Sequence, residues 1–181
     1  IFLLTYQQNN GKIMDIFLYS TPSEFDDIIL VADGDYLTGL YFIHSQEGKR
    51  YLKDGQEANL PVFQDTRRWL DSYFSGHQPN FTPRYRLDNA TSFRREVSDI
   101  MCGIPYGKTV TYGEIATQIA ERHGVEKMSA QAVGGAVGWN PICIIIPCHR
   151  VMGANGKLTG YGGGIKNKIA LLQHEGIFEI F

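Results

Sequence analysis

A thiol, an imidazole and a guanidinium stand side by side at Cys148-His149-Arg150, directly after Pro147. Such neighbours matter because the thiolate is the nucleophile. A free cysteine has a pKa of about 8.5, and adjacent cationic groups lower it. The preceding run, Ile142-Cys-Ile-Ile-Ile146, is apolar throughout and lies between Pro141 and Pro147. It reads as a buried strand whose ladder the second proline halts. A cysteine at the end of such a strand, flanked by groups that can move protons, is a candidate for covalent chemistry. The plainer reading of a cysteine is a small buried apolar side chain, and Cys102 and Cys143 are read that way. The 3 cysteines and 5 histidines show no Cys-x-x-Cys or His-x-x-x-His spacing, so neither a metal site nor a cofactor is expected. An odd number of cysteines with no visible secretion signal points to a reducing cytoplasm.

These residues must be held by the elements around them. Ser92–Cys102 reads as a helix with Phe93, Val97, Ile100 and Met101 on one face. Thr111-Tyr-Gly-Glu114 fits a capping box, and Ile115, Ala116 and Ile119 continue a helix to about Glu121. After a polar loop over Arg122–Lys127, Ser129 can cap a further helix, Ala130–Val137. Two short helices joined by a turn suggest a helix-turn-helix. The second helix has almost no long side chains and contains Gly134-Gly135. Each glycine costs about 1 kcal/mol against alanine there, so close approach of another backbone must offset it, either a neighbouring helix or a nucleic acid.

The first half differs. Residues 14–60 read as β structure in antiparallel hairpins, with strands at Asp15–Ser20, Ile28–Ala32 and Tyr36–Ile43 and a turn at Asp33-Gly34-Asp35. Pro61–Phe74 then changes to a helical period through Val62, Phe63, Trp69, Leu70 and Tyr73. The Gly-, Pro- and Asn-rich stretch over residues 75–91 marks a seam, dividing the chain into domains 1–88 and 89–181. Met14 is a candidate start, which would make residues 1–13 an upstream extension. With 43% hydrophobic and 20% charged residues the chain is globular rather than disordered. It holds no apolar run near the ~18 residues of a membrane span. The net charge of −2 hides an asymmetry: residues 1–90 carry 8 basic against 12 acidic residues, residues 91–175 carry 9 against 6. That excess, where it is not chance, points the second half toward an anion.

From Asn140 to Val151, Asn-Pro-Ile-Cys-Ile-Ile-Ile-Pro-Cys-His-Arg-Val, the chain resembles the active-site signature of the O6-alkylguanine-DNA alkyltransferases, the methylated-DNA–protein-cysteine methyltransferases. The resemblance extends over Ser129–Asn140, Gly153–Gly164 and Leu171–Gly176, and so covers roughly residues 91–176. It implies an α+β (α/β) fold, with an N-terminal antiparallel-sheet domain, RNase H-like, before a mainly helical domain with a helix-turn-helix. It implies DNA repair by irreversible transfer of the alkyl group from O6-alkylguanine to Cys148, once per molecule, with O4-alkylthymine a further candidate substrate. His149 matches the base that takes the thiol proton through water, and Glu175 the carboxylate that orients it. Asn140 matches a residue bracing the turn. Tyr112 matches a tyrosine that crowds the phosphate and protonates the leaving guanine. Tyr161 matches a wall of the base pocket, Lys168 a lysine near it, and the Val151 carbonyl an acceptor for the guanine amine. The implied partner is double-stranded DNA, bound in the minor groove by the helix from Ser129, with Ala130, Gly134 and Gly135 allowing close approach and Arg150 as a further contact. The target nucleotide would be flipped out, as chemistry on a stacked base requires. A cytoplasmic monomer is expected.

The chain also departs from the pattern. Gln131 stands where many relatives place an arginine that fills the gap left by the flipped base, and Gly162 where some have a serine. The first half has no cysteines to support a zinc site, and a regulatory role is not expected. Three alternatives remain: a non-catalytic alkylated-DNA binding protein, which typically carries tryptophan at the acceptor position; a cysteine hydrolase, although adjacent Cys and His are awkward for direct contact; and a sequence-specific regulator, although the glycine-rich helix offers few side chains for base edges.

Overall fold

The structure is a computed structural model that describes residues 11–178. The candidate extension over residues 1–13 therefore lies mostly outside the described residues. Three antiparallel strands, β1 (Asp15–Tyr19), β2 (Ile28–Asp33) and β3 (Tyr36–Phe42), form the expected meander. β2 is central, and Ile28 through Ala32 are all buried. That explains its unbroken apolar run, since a strand covered on both faces has no polar alternation. One face of the sheet carries Ile28, Leu30, Leu40 and Phe42 into a core shared with both halves of the chain. The other carries Ile16, Ile29 and Val31 under Tyr41, Ile43 and Tyr51.

The all-β reading of residues 14–60 needs two corrections. Gln46–Asp54 forms a helix, α1, capped by the Ser45 side chain, with Glu47 in its first turn and Lys53 in its last. A short strand β4 (Gln56–Glu57) then pairs parallel with β1, so the sheet is mixed, in the order β3-β2-β1-β4. A two-residue exposed polar strand has no sequence period from which to be recognised. Helix α2 (Pro61–Phe74) follows, with proline in its first turn, where its missing N–H is not needed. It buries Val62, Phe63, Trp69, Leu70 and Tyr73.

Beyond the seam come α3 (Ser92–Cys102), a short strand β5 (Val110–Thr111), α4 (Tyr112–His123) and α5 (Ala130–Gly138). The Thr111–Glu114 capping box is present, and Ser129 caps α5 by accepting from the Ala132 N–H at 3.1 Å. A 3₁₀ turn over Cys148–Arg150 leads into β6 (Val151–Met152), parallel to β5. Helix α6 (Ile165–His174) is the last element among the described residues. The edge of β3 is covered by two loops of the same chain. Leu37 pairs with the loop at Arg84 and Arg86, while Leu40 bonds Pro141 O at 2.8 Å and Cys143 N at 3.1 Å. Covering an edge removes a row of free backbone groups. Here it also fixes the loop that leads to Cys148 against the sheet.

Candidate active site

Ile142–Ile146 is buried as its apolarity demands, but it is not a strand. Only Ile142 bridges to β3, and the chain then turns back on itself. Ile146 N–H donates to Ile142 O (3.1 Å), Ile145 N–H to Cys143 O (2.8 Å) and Cys148 N–H to Ile146 O (2.8 Å). The Asn140 side chain braces this turn, donating to Ile146 O at 2.8 Å and accepting from Ile142 N–H at 3.0 Å. Ile144 has φ 70°, left-handed backbone that a β-branched residue rarely adopts. Such a position costs on the order of 1–3 kcal/mol and persists only where its surroundings over-determine it. The braced turn brings two sulfurs, Cys143 and Cys148, into one buried site.

Cys148 is 5% exposed. The neighbouring Cys143 thiol lowers its pKa most. Burial opposes that effect, and the Asn140 amide, the Tyr161 hydroxyl and the Lys168 charge add to it, leaving the thiol at about 7. Cys143 is pushed well above the ordinary thiol value by the same contact and by burial. The buried Tyr161 hydroxyl makes no regular hydrogen bond and faces the two thiols. Its ring is held by Gly163, where an added Cβ would lie 2.7 Å from Tyr161 and 2.6 Å from Phe42. Lys168 is fully buried and donates to Val151 O at 2.7 Å, and burial pulls its pKa down. The Val151 carbonyl, expected to accept from the guanine amine, is thus already engaged on one lone pair.

His149 lies behind the nucleophile and is fully buried. Its Nε2 is 2.7 Å from Glu175 Oε1. Burial holds the imidazole below its ordinary pKa despite that carboxylate, so it is neutral at pH 7. Burial by itself would raise Glu175, but the bonds from His149 and Arg150 overturn this and keep it ionised far below the usual range. An ionised carboxylate only accepts, so Nε2 carries the proton and Nδ1 the lone pair. Nδ1 is buried and without a partner among the described residues. The ring is thus oriented by an acid and left with a bare basic nitrogen, as a general base requires.

Three contributors to this network, Arg150, Tyr73 and Gly107, go beyond the sequence expectation. Arg150, read as a DNA contact, is turned inward: Nε and Nη2 hold Glu175 at 2.8 and 2.9 Å, and Nη1 donates to Ile104 O at 2.7 Å. Its side chain is 11% exposed, because a buried carboxylate needs a cation more than the surface does. Tyr73, from α2 in the first half, donates to Glu175 Oε1 at 2.8 Å. Gly107, with φ 73°, turns its N–H onto Oε2 at 3.1 Å. No local motif announces contacts that span 102 and 68 residues of sequence. Cys143 gives only a weak signal, a second thiol five residues before Cys148 in a run whose apolarity reads as core.

A groove beside this site is lined by Thr111, Tyr112, Gly113, Ala130, Gln131, Gly134 and Ala154. Tyr112 opens α4 and its hydroxyl meets Thr159 Oγ1 at 3.1 Å. Ser129, Ala130, Gln131 and Gly135 are exposed and Gly134 is half-buried. An added Cβ would touch nothing within 4 Å at Gly135, and only the Tyr112 ring, at 3.8 Å, at Gly134. Tight packing within the chain therefore does not explain these glycines. On the other side of the turn, a cavity of about 430 Å³ opens between β3, α1 and residues 138–143, with Gly162 at its exposed rim and Cys143 in its wall. Among the described residues no three His, Cys, Asp or Glu side chains converge to hold a metal ion.

Residues 92–177 match the family model of the 6-O-methylguanine DNA methyltransferase DNA binding domain, and residues 17–87 that of its ribonuclease-like domain. The chain belongs to the 6-O-methylguanine DNA methyltransferase family. Among relatives in it, the methylated-DNA–protein-cysteine methyltransferase of Haemophilus influenzae is 39% identical over 162 residues, spanning 88% of this chain and 87% of its own. That of Methanosarcina acetivorans is 39% identical over 85% of this chain and 94% of its own. The crystal structure of the Mycobacterium tuberculosis O6-methylguanine methyltransferase superposes with a TM-score of 0.72 at 37% identity, over 90% of this chain and 92% of that one. The mycobacterial protein in complex with DNA gives a TM-score of 0.73. The fold of the methyltransferase family is thus present across both halves, a mixed-sheet domain followed by a mainly helical one.

Proposed function

We propose that the chain repairs double-stranded DNA by moving the alkyl group of O6-alkylguanine onto Cys148, irreversibly and once per molecule. The observation that carries this is a buried thiol at about pKa 7 in front of an oriented, neutral imidazole. The alkylated base is flipped from the stack toward Cys148, since a buried sulfur cannot reach O6 inside a duplex. His149 Nδ1 takes the thiol proton through a water molecule. The Cys148 sulfur attacks the alkyl carbon, the S–C bond forms, and the C–O bond breaks with its electron pair passing to guanine. Tyr112 supplies the proton that lets guanine leave neutral. The product is a thioether with no leaving group, so turnover ends there.

Tyr161 walls the base pocket, Lys168 holds the Val151 carbonyl toward it, and Gly162 opens its rim. The face of α5 from Ser129 lies in the minor groove, with Gln131 at the space the base vacates. Repair at any sequence needs backbone contacts rather than base readout, which suits a face of small residues. Domains 1–88 and 89–181 act together through Tyr73 and Glu175. The site is complete within one chain, which supports a monomer. No helix among the described residues is long and apolar enough to cross a membrane, and we place the activity in the cytoplasm. Duplex DNA carrying one O6-methylguanine, mixed with a molar excess of protein, should be restored to guanine with one protein consumed per lesion. Tight, lesion-selective binding without restored guanine would instead make this a binding protein without chemistry.

A further inference from the structure

Tyr161 is followed by Gly162-Gly163-Gly164, a segment with no side chains of its own to hold it. Glycine also gives up more backbone freedom on folding than any other residue. We infer that Asn167 on α6 is a positioning residue for the transfer: clamped by Asp26 of the first half, it fixes Gly163 and through it the Tyr161 wall. This rests on the reading of Tyr161 as a wall of the pocket that takes the flipped base.

The clamp is three hydrogen bonds on one buried amide. Asn167 is 1% exposed. Its Nδ2 donates to Gly163 O at 2.7 Å and to Asp26 Oδ2 at 2.9 Å, and its Oδ1 accepts from the Asp26 N–H at 2.9 Å. Both amide protons are engaged, so the partners fix how the side chain points. Asp26 is itself anchored. It lies in the loop between β1 and β2, which the Thr21 N–H closes on Asp27 Oδ1 at 2.9 Å and the Phe25 N–H on Pro22 O at 3.0 Å. Its Oδ1 meets His44 Nδ1 at 3.2 Å and Lys166 Nζ at 3.6 Å, which leaves Oδ2 to Asn167. The first half reaches Gly163 a second time from β3, where the Phe42 ring occupies the place of a Cβ. Gly164, with φ 91°, then turns the chain into α6, and its N–H donates to Tyr161 O at 2.9 Å. A shift of Asn167 therefore passes to Gly163 and on to Tyr161. None of the three amide bonds involves Cys148 or the α5 face, so the amide acts through the placement of the wall.

The test is single-turnover repair of duplex DNA carrying one O6-methylguanine at rising protein concentration. This separates the maximal rate of the bound complex from the concentration that half-saturates it. Asn167→Ala should lower the maximal rate about tenfold, as expected when reacting groups are held less closely. The half-saturating concentration should stay within about twofold of wild type, because the DNA-binding face is untouched. The end point should remain one lesion repaired per protein. A chain that merely folded less would lose end point and rate together. Asp26→Ala removes one bond of the three and should slow the maximal rate about threefold, whereas Asp26→Asn keeps an acceptor for Asn167 Nδ2 and should restore it. The Asp26 side chain is 18% exposed, so these two variants report on the clamp even where Asn167→Ala fails to fold. An unchanged maximal rate in Asn167→Ala, or an end point lost in step with the rate, would overturn the inference. So would an Asp26→Asn rate as slow as that of Asp26→Ala, which would assign the effect to the charge facing His44 and Lys166. A wild-type chain that restores no guanine would overturn the proposed function itself.

Discussion

The group of residues behind Cys148, into which only Tyr73 reaches from the first half, and the exposed face of α5 are built in opposite ways. Behind Cys148 nearly every polar group is tied. Glu175 alone accepts from His149, Arg150, Tyr73 and Gly107. Along α5 the outward residues are Ala130, Gln131, Ala132, Gly135 and Gly138, with little to bond and nothing to fill. The difference follows from what each must do. A proton relay in a dry interior needs fixed distances, and an unpaired buried charge there is costly. A surface that meets a groove at any sequence needs low relief and freedom from base-specific side chains. Substitutions should therefore damage stability and chemistry together in the first region, and binding alone in the second.

The largest effect is expected at Glu175. Glu175→Gln keeps the shape but leaves the Arg150 guanidinium buried without its counter-charge. We expect a loss of about 3–5 kcal/mol in urea unfolding, together with loss of transfer. A loss below about 1 kcal/mol would put the pair with ordinary surface bridges. The same carboxylate sets an acid limit. Its folded-state pKa is depressed, so its contribution is whole above the ordinary value of 4.5 and declines as the pH falls below it. The wild-type chain should lose stability steeply below that value, and Glu175→Gln should lose less.

Tyr73→Phe comes next. It removes one buried hydrogen bond that links the first half to the site, and should cost about 1–3 kcal/mol. Slower transfer with DNA affinity unchanged would sharpen the distinction between the two regions; weaker DNA binding would blur it.

On the α5 face, Gln131→Arg should leave unfolding unchanged and tighten DNA binding. The slope of log K against log salt should steepen by about one if the guanidinium reaches a phosphate. Equal affinity and equal slope would remove Gln131 from the interface. The smallest effect is expected at Gly135. Gly135→Ala has open space for its Cβ and should stabilise the helix by up to about 1 kcal/mol. Its DNA affinity should fall all the same, and a variant that gained stability with no loss of binding would return the glycine to mere chance.

The contrast also marks what could be read from sequence. The caps at Thr111 and Ser129 are local, and they announce α4 and α5 through side chains three residues from the groups they bond. The Cys148-His149 pair is local too. The partners of Arg150 and Tyr73 are not, and the inward turn of Arg150 follows from Glu175, 25 residues away. Ile142–Ile146 shows a different limit. Apolarity says that a segment is buried, whereas the turn depends on Asn140 and on a left-handed Ile144, which hydrophobic pattern does not encode. Helix α1 does carry a local signal, since Ser45 before an acidic first turn is a helix start.

The central claim is that one particular sulfur of three is the acceptor. The direct measurement is peptide mapping by mass spectrometry after reaction with duplex DNA containing O6-methylguanine. The account predicts a single methyl group on Cys148, with Cys102 and Cys143 unmodified. A methyl group on either of those two, or none on Cys148 while guanine is restored, would contradict it.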